Sequence, residues 1–313
     1  MIRFAALFPG QGSQHPGMGR SLASAFPVSR ETLERADAAL GVPLSATCFE
    51  GTDAQLARTE TTQPAILAVS IAALRALEER GARPSASAGH SLGEWSANVA
   101  AGTIAFEDAV RAVRRRGAFM QEAVPAGEGA MAAILGLDAP AIGAICARVA
   151  GDEVVSPANF NGAGQIVIAG HAAAVQRACE AALAAGARRA VPLPVSAPFH
   201  CALMRPAAER LNDVVGAMAW SDPSHPVYTN VDAAPVTTAA QARQALLAQV
   251  ASPVRWQEEI ERMAADGHRV FVEVGPGKVL SGLVRRIVKE AVVLNVSDPE
   301  TLEQSVRTLE EAA

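Results

Sequence analysis

Residues 89–93 read Gly89-His90-Ser91-Leu92-Gly93, a G-x-S-x-G pentapeptide. The small and apolar run 85–88 before it predicts a buried strand, and residues 94–101 after it predict a helix. A serine on such a strand-to-helix turn presents its hydroxyl above the sheet, and the flanking glycines permit the tight turn. The N–H of Leu92 then faces an oxygen bound beside the serine, at the positive end of the helix dipole. The stretch predicts an α/β fold with a serine that attacks a carbonyl group.

The same residues also allow a simpler interpretation. Ser91 and Glu94 have the S-x-x-E spacing of a capping box, in which the serine hydroxyl only caps the following helix. The pentapeptide alone does not decide between a nucleophile and a cap, so the choice depends on partners elsewhere in the chain.

Strand-like and helical runs alternate outward from this turn. Strands are predicted at 4–8, 269–274 and 292–296, and helices at 30–40, 64–79, 106–122 and 279–288. Such alternation predicts a mainly parallel sheet that helices cover on both faces.

The middle of the chain follows an order of its own. Strands are predicted at 130–137, 153–159, 165–169 and 189–195, with helices at 139–149 and 172–185 and a loop at 160–164. This β-α-β-β-α-β order is ferredoxin-like. We therefore predict a large subdomain made of residues 1–126 and 197–313, and a small inserted subdomain of residues 127–196, with the substrate in the cleft between them.

Bulk composition narrows the class of protein. Half of the 313 residues are apolar, 19% are charged, and the net charge of −5 argues against a general nucleic-acid binder. The four cysteines lack C-x-x-C spacing, so they predict reduced thiols rather than a disulfide framework or a zinc site. The apolar run at 4–8 is too short for a signal peptide, and no stretch reaches the ~18 apolar residues of a membrane span. We expect a soluble cytoplasmic protein.

A serine nucleophile needs a base, and His200 is the strongest candidate among the six histidines. It follows Pro198-Phe199 at the point where the inserted segment returns to the large subdomain, although a solvated loop histidine has the same local pattern. His90 adjoins Ser91, but its side chain is expected to point away, to pack and to hydrogen-bond. No aspartate stands at a recognisable spacing, so either the third member escapes recognition or a main-chain carbonyl orients the ring.

Two further stretches are unusual. Residues 8–14, FPGQGSQ, end the first strand with two glycines at the sheet edge where ligands bind, and can aim a main-chain N–H at an oxyanion. Within the run Arg114-Arg115-Arg116, only Arg116 is followed by a small and apolar setting. A guanidinium placed there needs a carboxylate, from the protein or from a substrate.

Six motifs together resemble the malonyl-CoA:acyl-carrier-protein transacylase family over essentially the whole chain. They are residues 8–14 and 89–94, Arg116-Gly117 with residues 119–121, residues 159–161 and 198–200, and Glu273-Val274-Gly275-Pro276-Gly277. The resemblance implies an α/β-hydrolase-like large subdomain with a ferredoxin-like insert.

The resemblance also implies roles for individual residues. It makes Ser91 the nucleophile, His200 the general base and then acid, and Arg116 the ligand of the malonyl carboxylate. The N–H groups of Gln11 and Leu92 would form the oxyanion hole, and the main-chain carbonyl of Gln249 would orient His200. The remaining substrate-site residues by resemblance are Phe199, Met120 and Asn159.

The implied reaction loads malonyl from malonyl-CoA onto the phosphopantetheine thiol of acyl carrier protein, with no bound cofactor or metal, in a protein expected to be a monomer. Alternatives are an acyltransferase that serves a polyketide synthase, a thioesterase or esterase, and a non-catalytic docking module. Because carrier proteins are acidic, basic residues near the cleft, Arg205, Lys278, Arg285 and Arg286, are candidates for the docking surface.

Overall fold

The chain folds into two sheets covered by helices, in a computed structural model that describes residues 4–195 and 197–311. The strands are β1 (Phe4–Phe8), β2 (Pro84–Gly89), β3 (Gly129–Leu135), β4 (Val155–Gly162), β5 (Gln165–His171), β6 (Arg189–Pro192), β7 (Val227–Tyr228), β8 (Pro235–Val236), β9 (Val270–Val274) and β10 (Val292–Val296). The helices are α1 (Arg20–Ala25), α2 (Pro27–Leu40), α3 (Leu44–Glu50), α4 (Asp53–Leu56), α5 (Thr59–Glu79), α6 (Leu92–Ala100), α7 (Phe106–Glu122), α8 (Ala139–Ala150), α9 (Ala172–Ala184), α10 (Arg205–Gly216), α11 (Ala239–Gln249), α12 (Trp256–Ala265), α13 (Val279–Ile287) and α14 (Pro299–Glu311).

The larger sheet has the strand order β10-β9-β1-β2-β7-β8. Its first five strands are parallel and β8 is antiparallel to β7. All five residues of β1 are buried, as expected for a central strand with helices on both faces. The predicted parallel sheet is confirmed. Because Phe8 pairs with Gly89, the loop after β1 and the turn after β2 leave the same edge of the sheet side by side.

The smaller sheet is antiparallel, with the order β4-β5-β3-β6. Helices α8 and α9 pack on it around an apolar cluster of its own that includes Ile134, Ile142 and Ile168. The element order and the sheet order agree with the ferredoxin-like prediction. The subdomain boundaries at 126/127 and 196/197 stay a prediction, and Ser196 itself lies outside the described residues.

Two predicted boundaries in this region are wrong. The predicted loop 160–164 is mostly strand, because β4 continues to Gly162 and leaves only a short turn before β5. The predicted strand 189–195 ends at Pro192, since Pro192 and Pro194 lack the N–H that a sheet ladder requires. Leu193 still bonds the carbonyl of Met131 at 2.9 Å, which keeps this segment along β3.

Helices α5 and α7 pack against each other, and α5 also contacts β9 of the larger sheet. The prediction for α7 is confirmed at both ends, whereas α5 begins at Thr59 rather than at residue 64. Pro64, where the predicted helix starts, lies inside the observed helix and is buried there. Among the described helices, none combines the length and apolar character needed to cross a membrane.

Candidate active site

Ser91 lies on a strained turn between β2 and α6. Its backbone has φ 53° and ψ −104°, a conformation that side-chain-bearing residues rarely adopt and that costs on the order of 1–3 kcal/mol. The flanking glycines serve close packing. A Cβ on Gly89 would lie 2.0 Å from the carbonyl carbon of Gly93, and a Cβ on Gly93 would lie 1.9 Å from the carbonyl oxygen of Phe8. The turn therefore holds the serine hydroxyl above the end of β1 and β2.

The capping interpretation of Ser91 is wrong. Ser91 precedes α6, but its side chain makes no capping hydrogen bond. The Glu94 carboxylate instead accepts hydrogen bonds from the main-chain N–H of Asn230 at 2.9 Å and from Nε2 of Gln249 at 2.7 Å. The hydroxyl of Ser91 is thus free of the helix end and available for chemistry.

His200 contacts Ser91 directly. The hydroxyl oxygen of Ser91 lies 2.7 Å from His200 Nε2, and His200 Nδ1 lies 2.9 Å from the main-chain carbonyl oxygen of Gln249. Because a carbonyl can only accept, Nδ1 carries the proton, so Nε2 of the neutral ring accepts from the Ser91 hydroxyl. The structure brings together the three residues predicted to form the catalytic group.

The surroundings of His200 keep its ring neutral. Burial, together with the charge of Arg116, lowers the pKa of His200 to about 3, although the bond to the Gln249 carbonyl works in the opposite direction. A neutral imidazole whose Nε2 faces a hydroxyl is suited to accept that proton.

Arg116 is the buried member of the arginine run. The buried residues of α7 recur as Ala109, Ala112, Val113, Arg116 and Met120, so Arg116 lies on the apolar stripe of an amphipathic helix. It is 1% exposed, whereas its neighbour at position 115 is exposed. The predicted distinction between Arg116 and the other two arginines agrees with this arrangement.

The guanidinium of Arg116 is held by three neighbours. Its Nη1 donates to Oε1 of Gln63 at 2.8 Å, and its Nη2 donates to Oε1 of Gln249 at 3.0 Å and to Ser91 Oγ at 3.2 Å. Nε has no hydrogen-bond partner among the described residues, although it is buried. Since a guanidinium has five N–H groups, it retains donors for an incoming carboxylate.

No carboxylate among the described residues forms an ion pair with Arg116. Burial lowers the pKa of Arg116 to about 10, and the charge of Glu94 acts against this. Burial also raises the pKa of Glu94 to about 7, with hydrogen bonds from Asn230 and Gln249 and the charge of Arg116 opposing it. A buried cation without a direct anionic partner favours a ligand that brings a carboxylate.

A cavity of about 110 Å³ connects these groups. That is well above the ~10–15 Å³ that a cavity needs to hold one water, so there is room for a short acyl group. The residues that line it are Gln11, Gln63, His90, Ser91, Leu92, Arg116, Met120, Met131, Asn159, Leu193, Val195, Phe199 and His200. All nine predicted site residues except Gln249 border the cavity, and Gln249 contacts three of its polar groups from behind.

Gln11 and Leu92, the two residues predicted to form the oxyanion hole, both border the cavity. Leu92 is the first residue of α6, and N–H groups of a first turn have no acceptor within the helix. Gln11 lies in the turn after β1, which Ser13 braces through a 2.8 Å bond from its hydroxyl to the carbonyl of Gly10. The pairing of β1 with β2 brings these two segments to the same edge of the sheet, beside Ser91.

Sequence reasoning missed several polar residues of the site. Gln63, which holds Arg116, comes from α5, and Asn230, which binds the N–H of Ser91 at 2.8 Å, follows β7. Neither carries a local motif. His90 was expected to pack and hydrogen-bond, and it does so against the ring of Trp256 and with Oδ1 of Asn161 at 2.9 Å. It also borders the cavity, which the alternation argument did not predict.

The sequence and the fold agree with known proteins. The family model of the acyl transferase domain matches residues 6–308. The chain is 49% identical over 312 residues to the malonyl CoA-acyl carrier protein transacylase of Bacillus subtilis, covering 99% of this chain and 98% of the relative. The chain belongs to this transacylase family. The resemblance that its motifs predicted is confirmed.

Solved structures of the family share the fold. The malonyl CoA-acyl carrier protein transacylase from Coxiella burnetii is 44% identical, with a TM-score of 0.96 and 98% of each chain covered. A malonyl-transacylase in complex with its type II PKS acyl-carrier protein is 47% identical, with a TM-score of 0.96 over 98% of this chain and 100% of the other. The α/β fold with a parallel sheet and a separate small antiparallel sheet is therefore the fold of the transacylase family.

Proposed function

We propose that this protein is an acyltransferase that moves a malonyl group from malonyl-CoA to the phosphopantetheine thiol of acyl carrier protein, as its family does. The single observation that carries the assignment of residues is at Ser91. Its hydroxyl oxygen lies within hydrogen-bond distance of both a neutral imidazole, His200, and a buried guanidinium, Arg116, inside one small cavity. The base and the carboxylate ligand thus meet at one nucleophile.

The first half-reaction would form malonyl-Ser91. His200 Nε2 takes the proton of the Ser91 hydroxyl as Oγ attacks the thioester carbonyl, and the N–H groups of Gln11 and Leu92 stabilise the oxyanion. The imidazolium then gives its proton to the sulfur as the C–S bond breaks and CoA leaves as a thiol. Losing one oxyanion donor typically costs about 10²–10³ in turnover, so these two N–H groups matter as much as the base.

The second half-reaction would reverse these roles. His200 takes the proton of the phosphopantetheine thiol, the thiolate attacks the malonyl-Ser91 ester, and the proton returns to Ser91 Oγ as the C–O bond breaks. Each substrate thus reacts separately with one serine, which gives ping-pong kinetics.

Arg116 would select the acyl group. A malonyl carboxylate can occupy the N–H groups that Gln63, Gln249 and Ser91 leave open, and it brings the direct anionic partner that the buried guanidinium lacks. An acetyl group leaves the guanidinium unpaired in a dry site, so an uncharged acyl group is penalised by a few kcal/mol.

We further propose that the division at residues 126/127 and 196/197 separates two subdomains, with Ser91 on the larger one. Cavity residues come from both sides of that division, since Met131, Asn159 and Leu193 belong to the inserted segment. Phe199, Met120 and Asn159 would border the acyl chain.

The remaining assignments are the cofactor, the cellular compartment, the oligomeric state and the docking surface. The steps above use only groups of this chain and its two substrates, a malonyl thioester and a carrier-protein thiol, so we propose that no bound cofactor or metal takes part. Four free thiols fit a reducing compartment, and we place the reaction in the cytoplasm. A monomer, and a docking surface at the exposed residues Arg205, Lys278, Arg285 and Arg286, stay predictions. Whether the carrier protein serves fatty-acid or polyketide synthesis is a question for a panel of carrier proteins.

Mass spectrometry of the intact protein tests the proposal directly. After incubation with malonyl-CoA, the wild type should gain the mass of one malonyl group and Ser91→Ala should gain none. Adding carrier protein with its phosphopantetheine arm should return the enzyme to its original mass and shift the carrier protein instead. Release of free malonate at the same rate without carrier protein would point to a thioesterase, and no malonyl adduct on the wild type would contradict the proposed function.

A further inference from the structure

Below Ser91 lies a group of buried polar side chains that the reaction steps do not use. Glu94, Asn230, Gln249 and Glu259 are all 0% exposed. Buried polar groups destabilise a fold unless they are hydrogen-bonded, and two buried carboxylates so close together are more costly still. Burial and the charge of Glu94 raise the pKa of Glu259 well above its ordinary value. Because the cluster is costly and lies directly beneath the nucleophile, we expect it to have a function.

Asn230 is the centre of the cluster. Its Oδ1 accepts from the N–H of Ser91 at 2.8 Å and from Nε2 of Gln249 at 3.0 Å. Its Nδ2 donates to the carbonyl of Gly89 at 2.8 Å and to Oε2 of Glu259 at 2.8 Å. These four bonds use both donors and two acceptor sites of the amide.

The two bonds to the main chain span the strained turn. A positive φ at Ser91 interrupts the hydrogen bonds that β2 and α6 make on either side, so the carbonyl of Gly89 and the N–H of Ser91 need partners from outside. One amide supplies both. The carbonyl of Ser91 is in turn held by Nε2 of Gln249 at 3.0 Å. Asn230 can reach this point because Ser87 pairs with Val227 in parallel, which brings the ends of β2 and β7 together.

The orientation of the Asn230 amide is fixed by its neighbours. Glu259 accepts from Nδ2, and Glu94 accepts from the main-chain N–H of Asn230 at 2.9 Å. If the amide were flipped, Oδ1 would face the Glu259 carboxyl and the carbonyl of Gly89, and Nδ2 would face the N–H of Ser91. Nδ2 would also face Nε2 of Gln249, so all four hydrogen bonds would be lost and only one orientation is compatible with the cluster.

We propose that Asn230, oriented by Glu259, is a positioning residue for acyl transfer that clamps the main chain of Ser91 on both sides. The clamp sets where Ser91 Oγ meets His200 and where the N–H of Leu92 faces the cavity. Asn230 does not border the cavity, so it acts only through the turn. This inference rests on the proposed function, because it assigns a part in the same reaction.

The first test is Asn230→Asp, which keeps the size of the side chain and removes both Nδ2 donors. We expect the rate constant for malonylation of Ser91 in a single turnover to fall at least 100-fold, because misplacing a nucleophile by about 1 Å costs that much. The KM for malonyl-CoA should change less than threefold, since Arg116 and the cavity remain. Labelling by a small organophosphorus probe, which does not need Arg116, should slow by the same factor.

The matched control is Asn295→Asp on the edge strand β10. Asn295 also ties a turn through Nδ2, to the carbonyl of Gly277 at 2.8 Å, but it lies outside the site. It should leave the malonylation rate unchanged even where it lowers the melting temperature as much as Asn230→Asp does. This comparison separates a loss of rate from a loss of stability.

A second pair of variants keeps the test decisive if Asn230→Asp does not fold. Glu259→Leu removes the acceptor that orients Asn230 and should slow malonylation about tenfold with little change in KM. Glu259→Gln retains an acceptor oxygen and should recover most of that rate. A folded Asn230→Asp or Glu259→Leu enzyme with the wild-type rate, or with a loss in KM alone, would overturn the inference. A wild type that forms no malonyl adduct would instead overturn the proposed function.

Discussion

His200 Nδ1 lies 2.9 Å from the main-chain carbonyl oxygen of Gln249, in the place where many serine enzymes use a carboxylate. A carbonyl fixes the tautomer of the ring as a carboxylate does, but it carries no negative charge to stabilise an imidazolium. Together with burial and the nearby charge of Arg116, this leaves the pKa of His200 at about 3. The ring is therefore held in its neutral form, with Nε2 open to accept the proton of Ser91.

The first prediction concerns the pH dependence of acylation. Because the pKa of His200 is lowered from its ordinary value of 6.5, the ring stays neutral as the pH falls from 8 to 5 and remains able to accept a proton. We expect kcat/KM for acylation of Ser91 to show no acid limb near pH 6.5. A malonyl thioester that lacks the phosphates of CoA avoids titration of the substrate, and His200→Ala gives the background. A limb with its midpoint near 6.5 would contradict this.

The second prediction concerns Arg116→Ala. Removing the guanidinium should lower the rate of malonyl transfer by about 10²–10³, the loss expected when a buried charged partner worth 3–4 kcal/mol is removed. Acetyl transfer should fall much less or rise, because an uncharged group no longer faces an unpaired cation. Competition between malonyl-CoA and acetyl-CoA, read by intact mass, measures the ratio.

Arg115→Ala is the matched control for that experiment. Residue 115 adjoins Arg116 on α7 but is exposed, so the variant removes the same charge without touching the cavity. Its malonyl-to-acetyl ratio should equal that of the wild type. If Arg116→Ala also keeps the wild-type ratio, Arg116 is not the group that selects the substrate.

The third prediction links Glu94 to stability. Burial raises the pKa of Glu94 from 4.5 to about 7, so between these values the folded chain holds a proton that the unfolded chain has lost. Its contribution to stability is present in full below pH 4.5 and is lost as the pH rises through 7, by on the order of 3 kcal/mol.

Glu94→Gln isolates this contribution because glutamine does not titrate. The free energy of unfolding of the wild type, relative to the variant, should decrease steadily from pH 5 to pH 7 in urea titrations. Glu31→Gln, at an exposed carboxyl of α2, is the matched control for replacing a glutamate by glutamine. A constant difference between the wild type and Glu94→Gln would show that Glu94 does not carry the proton.

Local sequence predicted the parts of the site that depend on local geometry. The turn at Ser91 follows from residues within a few positions of it, and the place of Arg116 follows from its spacing on one helix. The carbonyl of Gln249 came from resemblance alone, because every residue has a carbonyl and no spacing marks this one. Its side chain, which links Arg116 to Glu94, had no sequence signal at all.

Other residues escaped because tertiary contacts decided their roles. Glu94 fits a capping box by spacing, yet its carboxylate turns inward to Asn230, since a buried acceptor there outweighs a helix cap. Asn161 falls in the predicted loop 160–164. The chain instead continues β4 to Gly162, with an irregular register against β5, and Asn161 reaches His90 from that strand.

The fourth prediction concerns the width of the acyl site at Phe199. Its ring is 7% exposed, borders the cavity and adjoins the catalytic His200 in sequence. In a cavity of about 110 Å³, an α-methyl branch has to displace this ring or Met120, so methylmalonyl-CoA should load Ser91 far more slowly than malonyl-CoA. Phe199→Ala should raise the methylmalonyl-to-malonyl ratio at least tenfold, mainly by opening space.

Leu183→Ala, at an exposed apolar residue of α9, serves as the control and should leave the ratio unchanged. Efficient loading of methylmalonyl by the wild type would show that the branch is accommodated elsewhere and that Phe199 does not set the limit.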